Sequence, residues 1–190
     1  KIDPKTIAKF SYSPAANKAE SLVLSDRSLL GIGGGKDSIV AGELLKEANE
    51  KFTAFLLKTG ADSTIQKNVI KVMDVPSLEI QRKLDPKIFQ KHEDSFNGHI
   101  PISSIIAFLA VASALFYDYS NFIVGNEYSS NFGNLKYKGM TINHQWSKSQ
   151  EFETAFNDYV KNFISPSVSY FSLLRPFYEI RITEMFSRYK

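Results

Sequence analysis

Between Gly31 and Ser38 the chain reads Gly-Ile-Gly-Gly-Gly-Lys-Asp-Ser, and few folds can use such a stretch. An apolar run, Ser28 to Ile32, precedes it. After it, Ile39, Val40, Leu44 and Leu45 recur at helical spacing through Asn49. Strand, glycine-rich turn and helix in that order bring successive backbone N–H groups and the positive end of a helix dipole to one point, which suits an anion. Phosphate is the expected guest. A dinucleotide-binding turn needs a third glycine where Lys36 stands, and a Walker A loop needs glycine at Leu30 and Ser or Thr at Asp37, so neither pattern fits.

The rest of the chain repeats the strand-helix alternation. Phe52 to Leu57 reads as a second strand ending at Lys58-Thr59-Gly60, a helix capped by Asp62 or Ser63 runs to Val72, and Ser77 to Lys83 alternates like a third strand. Asn97-Gly98-His99-Ile100-Pro101 forms a turn into an apolar helix, Ile102 to Tyr119, and Asn121 to Gly125 suits a parallel strand. Leu135 to Ile142, with Lys138-Gly139 at its middle, predicts a hairpin, and Ser147 to Phe163 and Phe177 to Tyr189 predict helices. The expected fold is therefore α/β, an open and mainly parallel sheet flanked by helices, with a C-terminal hairpin and helical appendage. The organisation predicted is a leading segment (1–27), a phosphate-binding α/β core (28–134) and a substrate region of hairpin and helices (135–190), either part of the same domain or appended to it.

Composition limits the functions open to such a chain. With 190 residues one substantial core is expected. The helix from Ile102 is interrupted by Ser103, Ser104, Ser113 and Asp118, no apolar run reaches membrane-spanning length, and no signal-peptide pattern opens the chain, so a cytoplasmic protein with no membrane partner is expected. Absence of cysteine excludes thiol nucleophiles and cysteine-ligated metals from these residues. A formal charge of +3 on interspersed residues argues against nucleic acid as the main partner.

Two further clusters carry candidate chemistry. Gly125 to Asn134 follows the fourth strand, and in open α/β sheets that end of the strands faces the ligand crevice; Asn126, Glu127 and Asn131 are its candidate ligand-binding groups, with a plain Asn/Ser/Gly surface loop as the alternative. Asn143 to Glu153 concentrates His144, Trp146 and Lys148 at a helix start, where Ser147 or Ser149 can equally act as a cap with Gln150 or Glu153. Lys36, the dipole of the helix from Ser38, and backbone donors of Gly33, Gly34 and Gly35 suit bound phosphate, while Asp37 and Glu127 could hold a metal ion. Arg175 can clamp an anion or tie loops together, the second being favoured, and His92, among Lys91, Glu93 and Asp94, reads as a solvated surface residue.

The turn resembles the PP-loop, written S-G-G-x-D-S, with Gly33 where serine is usual. Taken with N-G-H-x-P at Asn97, N-E-x-S-x-x-x-G-N at Asn126, N-H-Q-x-S-K-S-x-x-F-E at Asn143 and S-L-L-R-P at Ser172, the chain resembles the UDP-N-acetylmuramoyl-L-alanyl-L-glutamate epimerases of bacterial peptidoglycan synthesis, a branch of the PP-loop ATP pyrophosphatases. The resemblance runs from Ser28 to Lys190, and members of the family continue beyond that point, often with cysteine. It implies ATP and Mg²⁺ as cofactors, a small nucleotide-linked carboxylate as partner substrate, and adenylation of its terminal L-glutamate before inversion. Removal and return of the α-proton would fall to His99, His144 or Lys148, which the sequence does not rank. Enzymes that adenylate tRNA or nucleobase-type acceptors share this loop, and a non-catalytic ATP-binding module is a further alternative. A homodimer is compatible with the sequence.

Overall fold

In the computed structural model, which describes residues 19–60, 62–90 and 100–189, five parallel strands form one sheet. These are β1 (Ser28–Gly31), β2 (Phe52–Lys58), β3 (Ser77–Gln81), β4 (Asn121–Val124) and β7 (Ser169–Ser172), in the order β3-β2-β1-β4-β7. A separate two-stranded ribbon pairs β5 (Leu135–Tyr137) with β6 (Met140–Ile142). The helices are α1 (Lys36–Glu47), α2 (Thr64–Met73), α3 (Ile102–Phe116), α4 (Gln150–Phe163) and α5 (Glu179–Phe186).

The period-two alternation of each strand sorts its side chains between two cores. Leu30 pairs in register with Ala54 and Ile123, and this row is covered by Val40, Ala41 and Leu45 of α1, Ile70 and Met73 of α2, and Ile182 and Met185 of α5. The opposite row, including Leu29, Phe55, Phe122 and Tyr170, is covered by Ala107, Ala110, Val111 and Ala114 of α3 and Phe152, Phe156 and Val160 of α4. The small residues of α3 let it lie close to the sheet, and the aromatic residues of α4 fill the wider gap: Phe156 meets Tyr170 edge-on, ring centroids 5.2 Å apart. The result is a three-layer sandwich.

Its topology locates the site. From β1 the chain winds through α1 and α2 on one face to β2 and β3, then crosses back, and β4 and β7 lie on the other side of β1 with α3 and α4 on the second face. The direction of winding reverses between β1 and β4, where a crevice must open at the carboxyl ends of the strands.

Several boundaries differ from those expected. Helix α1 begins at Lys36 with Gly35 as N-cap, so Lys36 and Asp37 belong to its first turn rather than to the loop before Ser38. Helix α3 stops at Phe116, because Asp118 adopts a left-handed φ of 62° that ends the helix before Tyr119. Residues Trp146–Lys148 form a separate 3-10 turn, and α4 starts at Gln150, capped by the Ser149 hydroxyl accepting the Phe152 N–H. A capping box through Glu153 does not form, since position N3 is Phe152. Strand β7 was not expected at all; it extends the sheet beside β4, so β7 and α5 of the C-terminal region are built into the sandwich rather than hung from it.

Candidate active site

Gly31 ends β1 and the turn Gly33–Gly35 delivers the chain to the N-terminus of α1, where Gly34 takes a φ of +83°. A side chain there would be strained and would also press on Ile65 and Gln66. Across the switch point, Gly125 follows β4. A Cβ at Gly125 would sit 3.0 Å from the Asp37 carbonyl oxygen, so only glycine lets the fourth strand close against the first turn of α1. A crevice of about 250 Å³ opens here, bounded by Gly31, Gly33, Leu57, Ile102, Asn126 and Tyr170. Its walls combine apolar side chains with a few polar groups, the composition expected of a small-ligand site.

Lys36 turns its ammonium between two carboxylates, 2.8 Å from Asp37 Oδ1 and 2.7 Å from Glu179 Oε1 of α5. Burial disfavours its charge, but hydrogen bonds and charge from Asp37 and Glu179 outweigh that and hold its pKa above the ordinary lysine value. Ser38 is buried, with its hydroxyl donating to the Gly35 carbonyl at 2.9 Å, which stiffens the turn. Gln66 donates to the Gly33 carbonyl at 3.4 Å, while its own buried Oε1 has no partner among the described residues. A buried acceptor without a donor costs about 1–3 kcal/mol. A ligand donor placed there would relieve it.

The loop after β4 is fastened from beneath by Arg175. Its guanidinium donates to the Glu127 carbonyl (3.0 Å), Ser130 Oγ (3.0 Å), the Lys148 carbonyl (2.8 Å), Glu153 Oε2 (3.1 Å) and Ser172 Oγ (3.1 Å). Arg175 is thus the structural tie favoured by the sequence. It binds the third, fourth and fifth motifs of the sequence into one unit. Glu127 caps the 3-10 turn Tyr128–Asn131 by accepting the Ser130 N–H at 3.2 Å, and Asn131 accepts the Gln150 N–H at 2.7 Å, joining that turn to α4. Asn126 points its amide nitrogen to Ser172 Oγ at 3.2 Å. Beneath it, burial and then the charge of Glu153 raise the Tyr170 pKa well above its ordinary value, against the lowering effect of the neighbouring Asn126 amide and Arg175. Tyr170 therefore stays protonated.

His144 lies beyond the ribbon, its Nδ1 2.8 Å from Asn134 Oδ1, an oxygen that also faces the His144 backbone N–H at 3.4 Å. An amide oxygen only accepts, so Nδ1 is the donor in this contact. Lys148 lies on the 3-10 turn held by Arg175 and Ser130. His99 and His92 lie outside the described residues.

The structure therefore places Gly33 and Asn126 on the wall of the crevice, Gly34 and Gly35 in the turn that follows, Lys36, Asp37 and Ser38 in the first turn of α1, and Glu127, Asn131 and Lys148 in the adjoining scaffold. No group of three or more His, Asp or Glu arranged for a metal occurs among the described residues. Sequence reasoning missed Gln66, Glu179 and Tyr170. Gln66 and Glu179 fall within ordinary helical patterning, and Tyr170 lies in the strand that was not expected. A larger concavity, about 600 Å³, opens at the opposite strand ends around Phe52 and Pro76. Its Arg27 is committed to Tyr119, lying 4.0 Å over the ring and donating to the hydroxyl at 2.7 Å, and no glycine-rich turn reaches it. Among the described residues, no helix is long and apolar enough to cross a membrane.

Comparison with known proteins agrees with this geometry. The family model described as the MurL N-terminal domain matches residues 3–173. The UDP-N-acetyl-alpha-D-muramoyl-L-alanyl-L-glutamate epimerase of Xanthomonas oryzae pv. oryzae is 34% identical over 175 residues, covering 92% of this chain and 38% of that protein. The enzyme of the same name from Salinispora tropica is 34% identical over 167 residues, covering 85% of this chain and 35% of that one. The chain thus spans little more than a third of the curated relatives it matches. Among solved structures, the U34-tRNA thiolase NcsA from Methanococcus maripaludis superposes with a TM-score of 0.59 at 12% identity, over 86% of this chain and 56% of that chain, a likeness of fold.

Proposed function

The chain belongs to the MurL N-terminal domain family, and from that premise we propose that it is the ATP-binding, adenylating part of an enzyme that epimerises the terminal glutamate of UDP-N-acetylmuramoyl-L-alanyl-L-glutamate. The observation that carries the nucleotide reading is the seating of Gly125 against Asp37. It closes β4 onto a glycine-rich helix N-terminus at the switch point of the sheet.

In this reading the triphosphate lies along Gly33–Ser38. The α1 dipole and backbone N–H groups stabilise the charge that gathers on pyrophosphate as the substrate carboxylate attacks the α-phosphorus. Lys36 must exchange Glu179 for a phosphate oxygen. Magnesium ions commonly take one or two protein carboxylates, with phosphate oxygens and water completing the shell, so Asp37 alone on α1 is a sufficient anchor; the ion would neutralise charge on the leaving pyrophosphate.

Adenylation makes the next step feasible. A free carboxylate resists loss of its α-proton because the carbanion adds negative charge, whereas an acyl adenylate is neutral at the carbonyl and spreads that charge as an enolate. The proton removed from the α-carbon is returned to the opposite face, and hydrolysis of the adenylate releases AMP and the D-glutamate product. His144, with its ring oriented by Asn134, is the candidate among the described residues for moving that proton.

The test is pyrophosphate release by this chain from ATP and Mg²⁺ with the L-glutamate substrate, its D-glutamate diastereomer and a tRNA pool as acceptors, together with α-proton exchange in D₂O. Release with the L-glutamate substrate, its loss by at least about a hundredfold in Asp37→Asn, and loss of exchange alone in His144→Ala are expected. Undiminished release in Asp37→Asn removes that residue from the mechanism. Activity with tRNA and none with the peptide substrate overturns the acceptor.

A further inference from the structure

We propose that the Glu153–Arg175 pair, acting through Ser172, fixes the Asn126 carboxamide with its nitrogen turned into the protein and its Oδ1 presented to the crevice, as an acceptor for a sugar hydroxyl of the bound nucleotide. The proposal rests on the nucleotide reading above and specifies which part of the ligand is recognised.

The argument is an accounting of protons around one hydroxyl. Ser172 Oγ, in a buried residue, has three polar neighbours: Glu153 Oε2 in a short hydrogen bond, Arg175 Nη2 at 3.1 Å and Asn126 Nδ2 at 3.2 Å. A serine hydroxyl owns one proton and two lone pairs. A carboxylate can only accept and a guanidinium can only donate, so the proton goes to Glu153 and one lone pair to Arg175. Only an acceptor site is left for Asn126. The amide must offer Ser172 its nitrogen, and the orientation of a carboxamide, usually ambiguous, is set by charge on both sides. With the nitrogen so engaged, Oδ1 is the polar atom that Asn126 offers to the crevice it lines.

Position then selects the partner. Asn126 directly follows Gly125, whose Cβ direction points 3.0 Å from the Asp37 carbonyl in the first turn of α1. The ligand part beside it is thus the one adjoining the phosphates. A carbonyl oxygen repels phosphate oxygens and accepts from a hydroxyl, which at that place in a nucleotide belongs to the ribose. The S-L-L-R-P and F-E motifs gain a reason in this arrangement, because Ser172, Arg175 and Glu153 orient a binding group without touching the ligand.

Calorimetric titration of this chain with Mg²⁺ and ATP, 2′-deoxy-ATP or 3′-deoxy-ATP tests the proposal. Wild-type protein is expected to bind one deoxy analogue roughly three- to tenfold more weakly than ATP, the worth of one neutral hydrogen bond. Asn126→Ala is expected to bind ATP no better than that analogue, and Ser172→Ala to lose most of the discrimination. A merely structural role for Ser172 would weaken all three nucleotides alike and leave their ratio intact, which would overturn the positioning role. Should Ser172→Ala fail to fold, Glu153→Gln, which keeps size and removes the charge that claims the serine proton, decides the same point by the same ratio. Equal binding of ATP and both analogues by wild-type protein overturns the sugar contact while leaving the nucleotide reading standing. No binding of ATP at all sinks both.

Discussion

Gly31 and Gly125 end neighbouring strands, yet their surroundings differ enough to make opposite demands. A Cβ at Gly31 would meet the Phe122 ring at 3.5 Å, an ordinary contact, whereas at Gly125 it would meet the Asp37 backbone at 3.0 and 3.1 Å. A ring edge can shift by tenths of an ångström; the carbonyl of a first helical turn cannot without dragging Lys36 and Asp37 with it. Gly125→Ala is therefore expected to destabilise the fold by about 1–3 kcal/mol, as overpacking does, and Gly31→Ala to stay within about 0.5 kcal/mol. Urea unfolding of the two variants checks this. Equal stabilities would mean that β4 does not press on α1, and the argument for a preformed phosphate turn would weaken with it.

Elements show where legibility in the sequence ended. The turn Gly31–Ser38 was readable because glycine spacing, a preceding apolar run and a following helical period all agree. The ribbon was readable for a similar reason: Lys138 and Gly139 adopt φ of 48° and 79°, the paired left-handed angles of a two-residue hairpin turn, and Gly139 advertised it. Strand β7 was not readable, since Ser169–Ser172 is four residues long and flanked by serines on one side and the Ser-Leu-Leu-Arg-Pro motif on the other. Only its register beside β4, a long-range pairing, makes it a strand. The site followed the same division, for the phosphate turn is local in sequence whereas the Asn126, Ser172, Glu153 and Arg175 network joins residues of three separate segments. Lysine at position 138 bears a steric cost that asparagine largely avoids, so Lys138→Asn is expected to steady the ribbon by up to about 1 kcal/mol. Slower amide exchange at Tyr137 and Met140 would register the gain, and unchanged exchange would place the strain elsewhere.

At the scale of the whole molecule, the two cores share a single sheet, and β1 serves both through consecutive residues: Leu29 faces α3 and α4 while Leu30 faces α1, α2 and α5, each with 0% exposure. Neither layer of helices can leave without exposing one face of strands whose other face is still packed, and the ladders of β1 to β2 and β4 bind both faces to the same backbone. Unfolding should therefore be a single cooperative event. Trp146, the only tryptophan, packs edge-on against Phe152 of α4 with ring centroids 5.4 Å apart, so its fluorescence reports the Leu29 side. Leu30→Ala lies on the opposite side. It is expected to cost about 2–5 kcal/mol and to lower the fluorescence midpoint as far as the far-ultraviolet circular dichroism midpoint. A fluorescence transition that stays in place while the dichroism transition moves would show the α3–α4 layer holding its own structure. The candidate crevice, which needs Gly31 and Gly33 from one side and Asn126 and Tyr170 from the other, would then be only as durable as the weaker layer.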